Sequence, residues 1–241
     1  PELEYSSSAS QTLSGVISGG AVGNTVLVKD TSSTNTLTLT GVNTFVGNTS
    51  IAAGTLQVGG AGSLGSGSYN GNLTLSTSAA NAAQFKYSSS ASQTLGGVIG
   101  GGVVGNTVLA KDTSGTSVLT LNGVNTFSGN TLIDAGTLQV GSAGSLGSGT
   151  YDGTITLGST AANNPQFEYS SSASQSLNGV ISGGAAGKTV LAKDTSGTSV
   201  LTLTAVNTFI GNTQIDAGTL QVSGAGSLGS GSYAGTIALG T

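Results

Sequence analysis

The chain has no cysteine, histidine, methionine, tryptophan or arginine, and only 2 prolines. Charged residues make up 6% of it, against roughly a quarter in ordinary soluble domains. Each shortage closes off a class of explanation. Without cysteine the fold must be stable without disulfides, which leaves the redox compartment open. Without histidine or arginine, nine carboxylates spread over 241 residues have no partner to assist acid–base work, so no enzymatic activity is expected. Five lysines against those nine acids give a net charge of −4, and no basic stripe exists to neutralise phosphates, so nucleic acid is not an expected partner. No apolar run approaches the ~20 residues that span a bilayer. The opening residues, PELEYSSS, lack the basic start and apolar stretch of a secretory signal. Residue 1 already lies inside a repeat, so the chain reads as a segment of a longer array.

What is present is glycine, 42 residues of it, with abundant serine and threonine. Such a mixture is also that of flexible linkers. The 36% hydrophobic content and the regular spacing of valine, leucine and isoleucine point instead to an ordered fold, because disordered chains lack apolar residues to bury. The dominant feature is a repeat of 82 residues. Tyr5, Tyr87 and Tyr169 each open the run YSSSASQ, Phe45, Phe127 and Phe209 each close VNTF, and AGSLGSG recurs at 61–67, 143–149 and 225–231. The units are 1–82, 83–164 and a shorter 165–241, read as one continuous solenoid. Periodicity on this scale marks stacked units that bury their apolar faces against one another.

Within the middle unit, VLAK (108–111), VLTL (118–121), TLIDA (131–135), TLQV (137–140) and TITL (154–157) alternate apolar with small or polar residues. That is the period of strands with one buried face. Between them lie NGVN, SGN and GSAGSLGSGT, rich in residues that tolerate turn conformations. No helical period appears, so the chain is all-β. Strands of the LTL type begin near Leu37, Leu56, Leu73, Leu95 and Leu119, in steps of 19, 17, 22 and 24 residues. This spacing predicts a parallel β-helix (β-solenoid) with about four coils per 82-residue repeat, roughly twelve coils in all and a rod on the order of 55–60 Å long. A sandwich or propeller is the competitor on strand spacing, but a propeller blade usually carries a tryptophan or another large aromatic.

The densest signal is GVNTFVGNTSIAAGTLQVGGAGSLGSG at 41–67, returning at 123–149 and 205–231. It resembles the passenger-associated β-strand repeat of autotransporters, the type V secreted surface proteins of Gram-negative bacteria. The resemblance covers about a third of each unit. It implies a right-handed parallel β-helical passenger, extracellular or on the bacterial cell surface, of the kind that serves adhesion, aggregation or biofilm formation. The family's signal and translocator barrel have no counterpart in these residues.

The recurrent residues have competing readings. Asn43, Asn125 and Asn207 are either glycan contacts or corner residues whose amides bond the neighbouring backbone. Phe45, Phe127 and Phe209 are either stacking platforms for carbohydrate or core fillers beside a corner. In both cases the structural reading is preferred, since one aromatic per 82 residues builds no continuous platform. Gly54, Gly136 and Gly218 precede TLQV as corner residues. The Lys-Asp pairs 29–30, 111–112 and 193–194 cannot both point into one site on a regular strand, and an Asp capping backbone N–H groups at a turn is expected. Asp134 and Asp216 fall in IDAG, but the first unit has IAAG, which argues against a repeated calcium site. At Ala205 the motif glycine of Gly41 and Gly123 is replaced, so that corner is expected to accept a Cβ without positive φ. No cofactor and no metal are expected. The partners considered are other copies of the chain and host or matrix glycans and proteins. Function divides between a stiff structural segment of a surface adhesin or filament and a lateral binding face.

Overall fold

The computed structural model describes residues 1–31, 34–112, 115–194 and 197–240. Every strand pairing among them is parallel, and each links segments one coil apart rather than neighbours in sequence. The chain winds as a parallel β-helix with three faces. Parallel strands joined by crossovers wind right-handedly.

The first face runs through strands Leu3–Tyr5, Thr25–Lys29, Asn48–Ile51, Leu73–Leu75 and Ile99–Gly101. It passes a corner where Val124 bridges Ser145, then resumes with Thr150–Tyr151, Gln175–Leu177, Val200–Leu203 and Thr219–Val222. The second face holds eight strands from Gln11–Leu13 to Ile181–Gly183, and the third holds eight from Ser68–Tyr69 to Ile237–Leu239. Alternation inside the strands is as the sequence predicts. In Thr36–Leu39, Val118–Leu121 and Val200–Leu203 the leucines are buried and the residues between them half-exposed.

The register counts the coils. Leu3 pairs with Leu27, Leu27 with Thr49 and Thr49 with Leu73, which makes three full coils. The next strand, Gln84–Ser89, then lands on the second face, where Phe85 pairs with Leu56 and Leu109. The strand ending in Tyr169 lies on the third face, where it pairs with Val140 and Lys193. Each 82-residue unit therefore makes three and a third coils, not about four, and hands its successor a third of a turn of rotation. The sequence count ran high because Leu37, Leu73 and Leu95 were taken as stacked when they lie on three different faces. Only Leu37 and Leu56 of that series are neighbours in one ladder. Three units make ten coils, so the rod is on the order of 45–50 Å long at ~4.8 Å per coil, shorter than twelve coils would give.

Identical columns consequently fill the interior on different faces. On the second face Leu39, Val58, Tyr87, Lys111, Ile133 and Leu157 stack in register. On the third, Leu121, Val140, Tyr169, Lys193, Ile215 and Leu239 do the same. The columns bring every backbone group of the strands into ladder bonds and leave each apolar side chain against its counterpart one coil away.

Candidate functional site

The VNTF corner is built by strict alternation. Val42, Thr44 and Val46 face out, and Asn43 and Phe45 are buried. An amide here has four hydrogen-bonding sites facing backbone, and the corner uses them. Asn125 Oδ1 accepts from the Ile99 amide at 2.9 Å, and its Nδ2 donates to the carbonyls of Gly123 at 2.8 Å and Ser145 at 3.1 Å. Asn43 makes the same set with Ile17, Gly41 and Ser63, and Asn207 with Ile181, Ala205 and Ser227. Each asparagine thus ties three successive coils. Buried and fully engaged, it offers nothing to an external glycan.

The phenylalanines are also inside. Phe45, Phe127 and Phe209 are buried and meet Tyr69, Tyr151 and Tyr233 edge-on, with ring centroids 5.4–5.5 Å apart. This is the geometry favoured by ring quadrupoles. Each tyrosine hydroxyl donates to a glycine carbonyl, Tyr69 to Gly47 at 2.6 Å and Tyr151 to Gly129 at 2.5 Å, and shares a bond with Thr49 or Thr131. Burial pushes the Tyr69 hydroxyl up to about 12 and that of Tyr151 higher still, against the hydrogen bond from the threonine. Gly54, Gly136 and Gly218 hold φ of 68°, 69° and 74°, a left-handed backbone that any Cβ would strain.

Gly41 and Gly123 do not have positive φ. Their Cβ-less state answers to contact instead, since a Cβ on either would overlap the carbonyl oxygen of Gly15 or Gly97 one coil away. Ala205 shows that this corner accepts the methyl once the neighbouring coil gives way.

The lysines of the Lys-Asp pairs carry the site's main surprise. Lys29, Lys111 and Lys193 are fully buried, at 0% exposure, while the following aspartates face the half-exposed side of the corner. Lys29 Nζ donates to the carbonyls of Thr31 at 2.8 Å and Ala53 at 3.0 Å. Lys111 reaches Ala135 O at 3.0 Å, and Lys193 reaches Asp194 O at 3.1 Å and Ala217 O at 3.2 Å. Each ammonium also stands 5.9–6.0 Å from the ring centre of Tyr5, Tyr87 or Tyr169 in the coil before it, within cation–π range. Desolvation lowers all three amines, Lys111 to about 8, with the neighbouring aspartate opposing it. The signal was in the sequence: alternation in TVLAK puts Leu109 and Lys111 on the same side of the strand. Two buried glutamines went unremarked in YSSSASQ. Gln93 exchanges bonds of 2.8 and 3.1 Å with the backbone of Leu64, and Gln175 does so with Leu146.

The acids do not gather. Asp30 accepts from Thr31 Oγ1 at 2.6 Å, which holds its carboxyl below the usual range, and Asp112 pairs with Lys86 at 2.7 Å and with the Ser88 hydroxyl. The expected role of these aspartates as backbone caps gives way to side-chain pairing. Asp134 and Asp216 are exposed on different faces. Among the described residues no group of three or more His, Cys, Asp or Glu stands together.

These corners and columns define the class: a parallel β-helical repeat protein whose recurrent residues are spent on coil-to-coil contacts. The family model of the passenger-associated-transport-repeat matches at residues 32–58, 114–140 and 196–222, the stretch that carries the buried Lys column's outgoing turn, the Asn corner and TLQV. The chain is a repeat protein of the autotransporter passenger kind. It is 49% identical over 65 residues to a protein named adhesin BmaC autotransporter, from Brucella suis biovar 1 (strain 1330). That match covers 27% of this chain and 2% of the relative's length. No solved structure matches.

Proposed function

We propose that the chain is a rigid spacer segment of a secreted or surface-displayed autotransporter adhesin, one that sets the distance between the cell surface and a binding region. The observation that carries this reading is the use to which recurrent residues are put. Asn43, Phe45, Lys29 and their counterparts are buried and bonded between coils, so what repeats is the means of extending a rod. The passenger repeats and the relative's name as an adhesin support the extracellular setting. On this reading the rod has no catalytic task and takes no cofactor. Adhesion, aggregation or biofilm formation belongs to the whole protein that it lengthens.

Deleting residues 83–164 tests the spacer. The junction preserves every ladder partner, because residue 165 is the repeat equivalent of residue 83. The rod then shortens by about 16 Å, three and a third coils at ~4.8 Å each, and small-angle scattering reads the change. A cell displaying the shortened protein keeps its adhesion per molecule. Adhesion that falls in proportion to the deleted unit would refute the spacer and favour a second reading, in which the lateral surface itself binds glycans, host proteins or other copies of the chain. That reading draws on the exposed serine and threonine rows and on a groove present in each unit.

A further inference from the structure

Each unit carries a shallow groove where the Gly-Ser-Gly turn overhangs the VNTF corner, and the same groove occurs three times. In the first unit its volume is about 600 Å³, within the range of small-ligand sites. We propose that these grooves bind a neutral saccharide; the inference gives a location and a ligand class to the lateral-binding reading and is independent of the spacer.

The rim consists of hydroxyls. Thr44, Ser66 and Ser68 line the first groove, Thr126, Ser148 and Thr150 the second, and Thr208, Ser230 and Ser232 the third. All of these that border solvent are exposed, and none of the nine hydroxyls bonds to a described residue. Beside them lie apolar surfaces: Val46 and the edge of Tyr69 in the first groove, Ile210 and Tyr233 in the third. No charged residue lines the first or third groove, and the second has only Asp152. An anion would find no cation there, and a cation would find a carboxylate in one groove of three. An extended peptide would need free backbone groups to pair with, but the turn spends its own: Ser66 N donates to Asn43 O at 2.8 Å and Gly67 N to Leu64 O at 2.9 Å. Free hydroxyls beside an apolar wall match a ligand that is itself hydroxyls on a C–H face.

The serine at the lip supplies an independent argument. Ser66, Ser148 and Ser230 hold φ of 56°, 56° and 55°, the left-handed region that costs an L-residue roughly 1–2 kcal/mol. Both neighbours of each are glycine, and a third glycine would relieve the cost. Serine stands there in all three units with its hydroxyl unused inside the rod, so its use lies outside. The third-turn offset places the grooves on three sides of the rod, about 16 Å apart along the axis. They act as separate sites, and a flat glycan surface meets one unit in three.

The test is an array of neutral glycans (glucose, galactose, mannose and N-acetylglucosamine oligomers) with sialylated and sulfated glycans as comparators, followed by calorimetry on the best neutral oligomer. The expected result is neutral binding with three equivalent sites per chain. The triple variant S66G/S148G/S230G loses affinity by about tenfold or more while its circular dichroism and melting are unchanged or improved, and each single variant removes one site. Failure of every neutral glycan to bind at millimolar concentration, preference for the anionic glycans, or undiminished binding by the triple variant would each overturn the proposal. None of these outcomes alters rod length on deletion of 83–164, so the two readings fail separately.

Discussion

Replacing Lys111 by methionine isolates the buried ammonium. Methionine keeps most of the aliphatic volume against Tyr87 and Ile133, which stack on Lys111 in register, and removes the charge. Burial brings this amine from the usual 10.5 down to about 8. A gap of about 2.5 pH units at 1.36 kcal/mol each amounts to about 3 kcal/mol, the excess cost of holding the amine charged inside the fold. The sign follows from proton counting. Between pH 8 and 10.5 the unfolded lysine is protonated and the folded one is not, so stability rises with pH across that window and is lower below it. The wild-type rod therefore gains about 2–3 kcal/mol between pH 8 and 10 from this residue. The variant lacks that rise, and Ala135 O loses its 3.0 Å donor, a penalty of about 1–3 kcal/mol at every pH. Chemical denaturation at pH 7, 8, 9 and 10 measures both. A K111M rod with the same pH slope as wild type, after allowance for the two other buried lysines, would refute the account of the ammonium as a desolvated charge.

Above pH 10 the tyrosines reverse the trend. Burial raises Tyr69 to about 12 and Tyr151 further, so the unfolded chain loses their protons first and stability falls as pH climbs past 10; Y151F should flatten that fall in a denaturation series. N125A removes the bonds to Ile99, Gly123 and Ser145 and should cost about 2–4 kcal/mol, read as faster hydrogen exchange at the Ile99 amide than in the undisturbed corner at Ile17. G97A places a methyl where the Gly71 carbonyl already sits. It should lower the thermal midpoint by several degrees, since overpacking costs about 1–3 kcal/mol, and an unchanged midpoint would mean the coil spacing is softer than described. Spin labels at Val42, Val124 and Val206, all about half exposed, should give equal 42–124 and 124–206 distances, as a constant third-turn rotation requires; unequal distances would break the screw.

The alternation in VLTL and TVLAK, the glycine and asparagine corners and the 82-residue period were legible because each is a local property. A strand buries every second residue wherever it lies, and a turn needs its residues whatever packs on it. The interior placement of Phe45 and its counterparts followed from the same alternation. The destination of Lys111 did not, since charge is read as surface until Leu109 on the same side is seen to be core. The carbonyl of Ala135 that receives its ammonium is 24 residues away, a distance no short pattern spans. The Gln93 bond to Leu64 is equally remote.

The sequence by itself determined that the chain is a β repeat, where its strands and corners fall, and which side of each strand is apolar. Tertiary structure decided the phase. Whether Tyr87 stacks above Tyr5 or a third of a turn round from it depends on the corner lengths accumulated over ten segments, and only the ladder pairings fix how those add up. Because the total is three and a third coils, equal units face three directions. The same residues thus give the rod a uniform interior and a surface that presents each feature once per side.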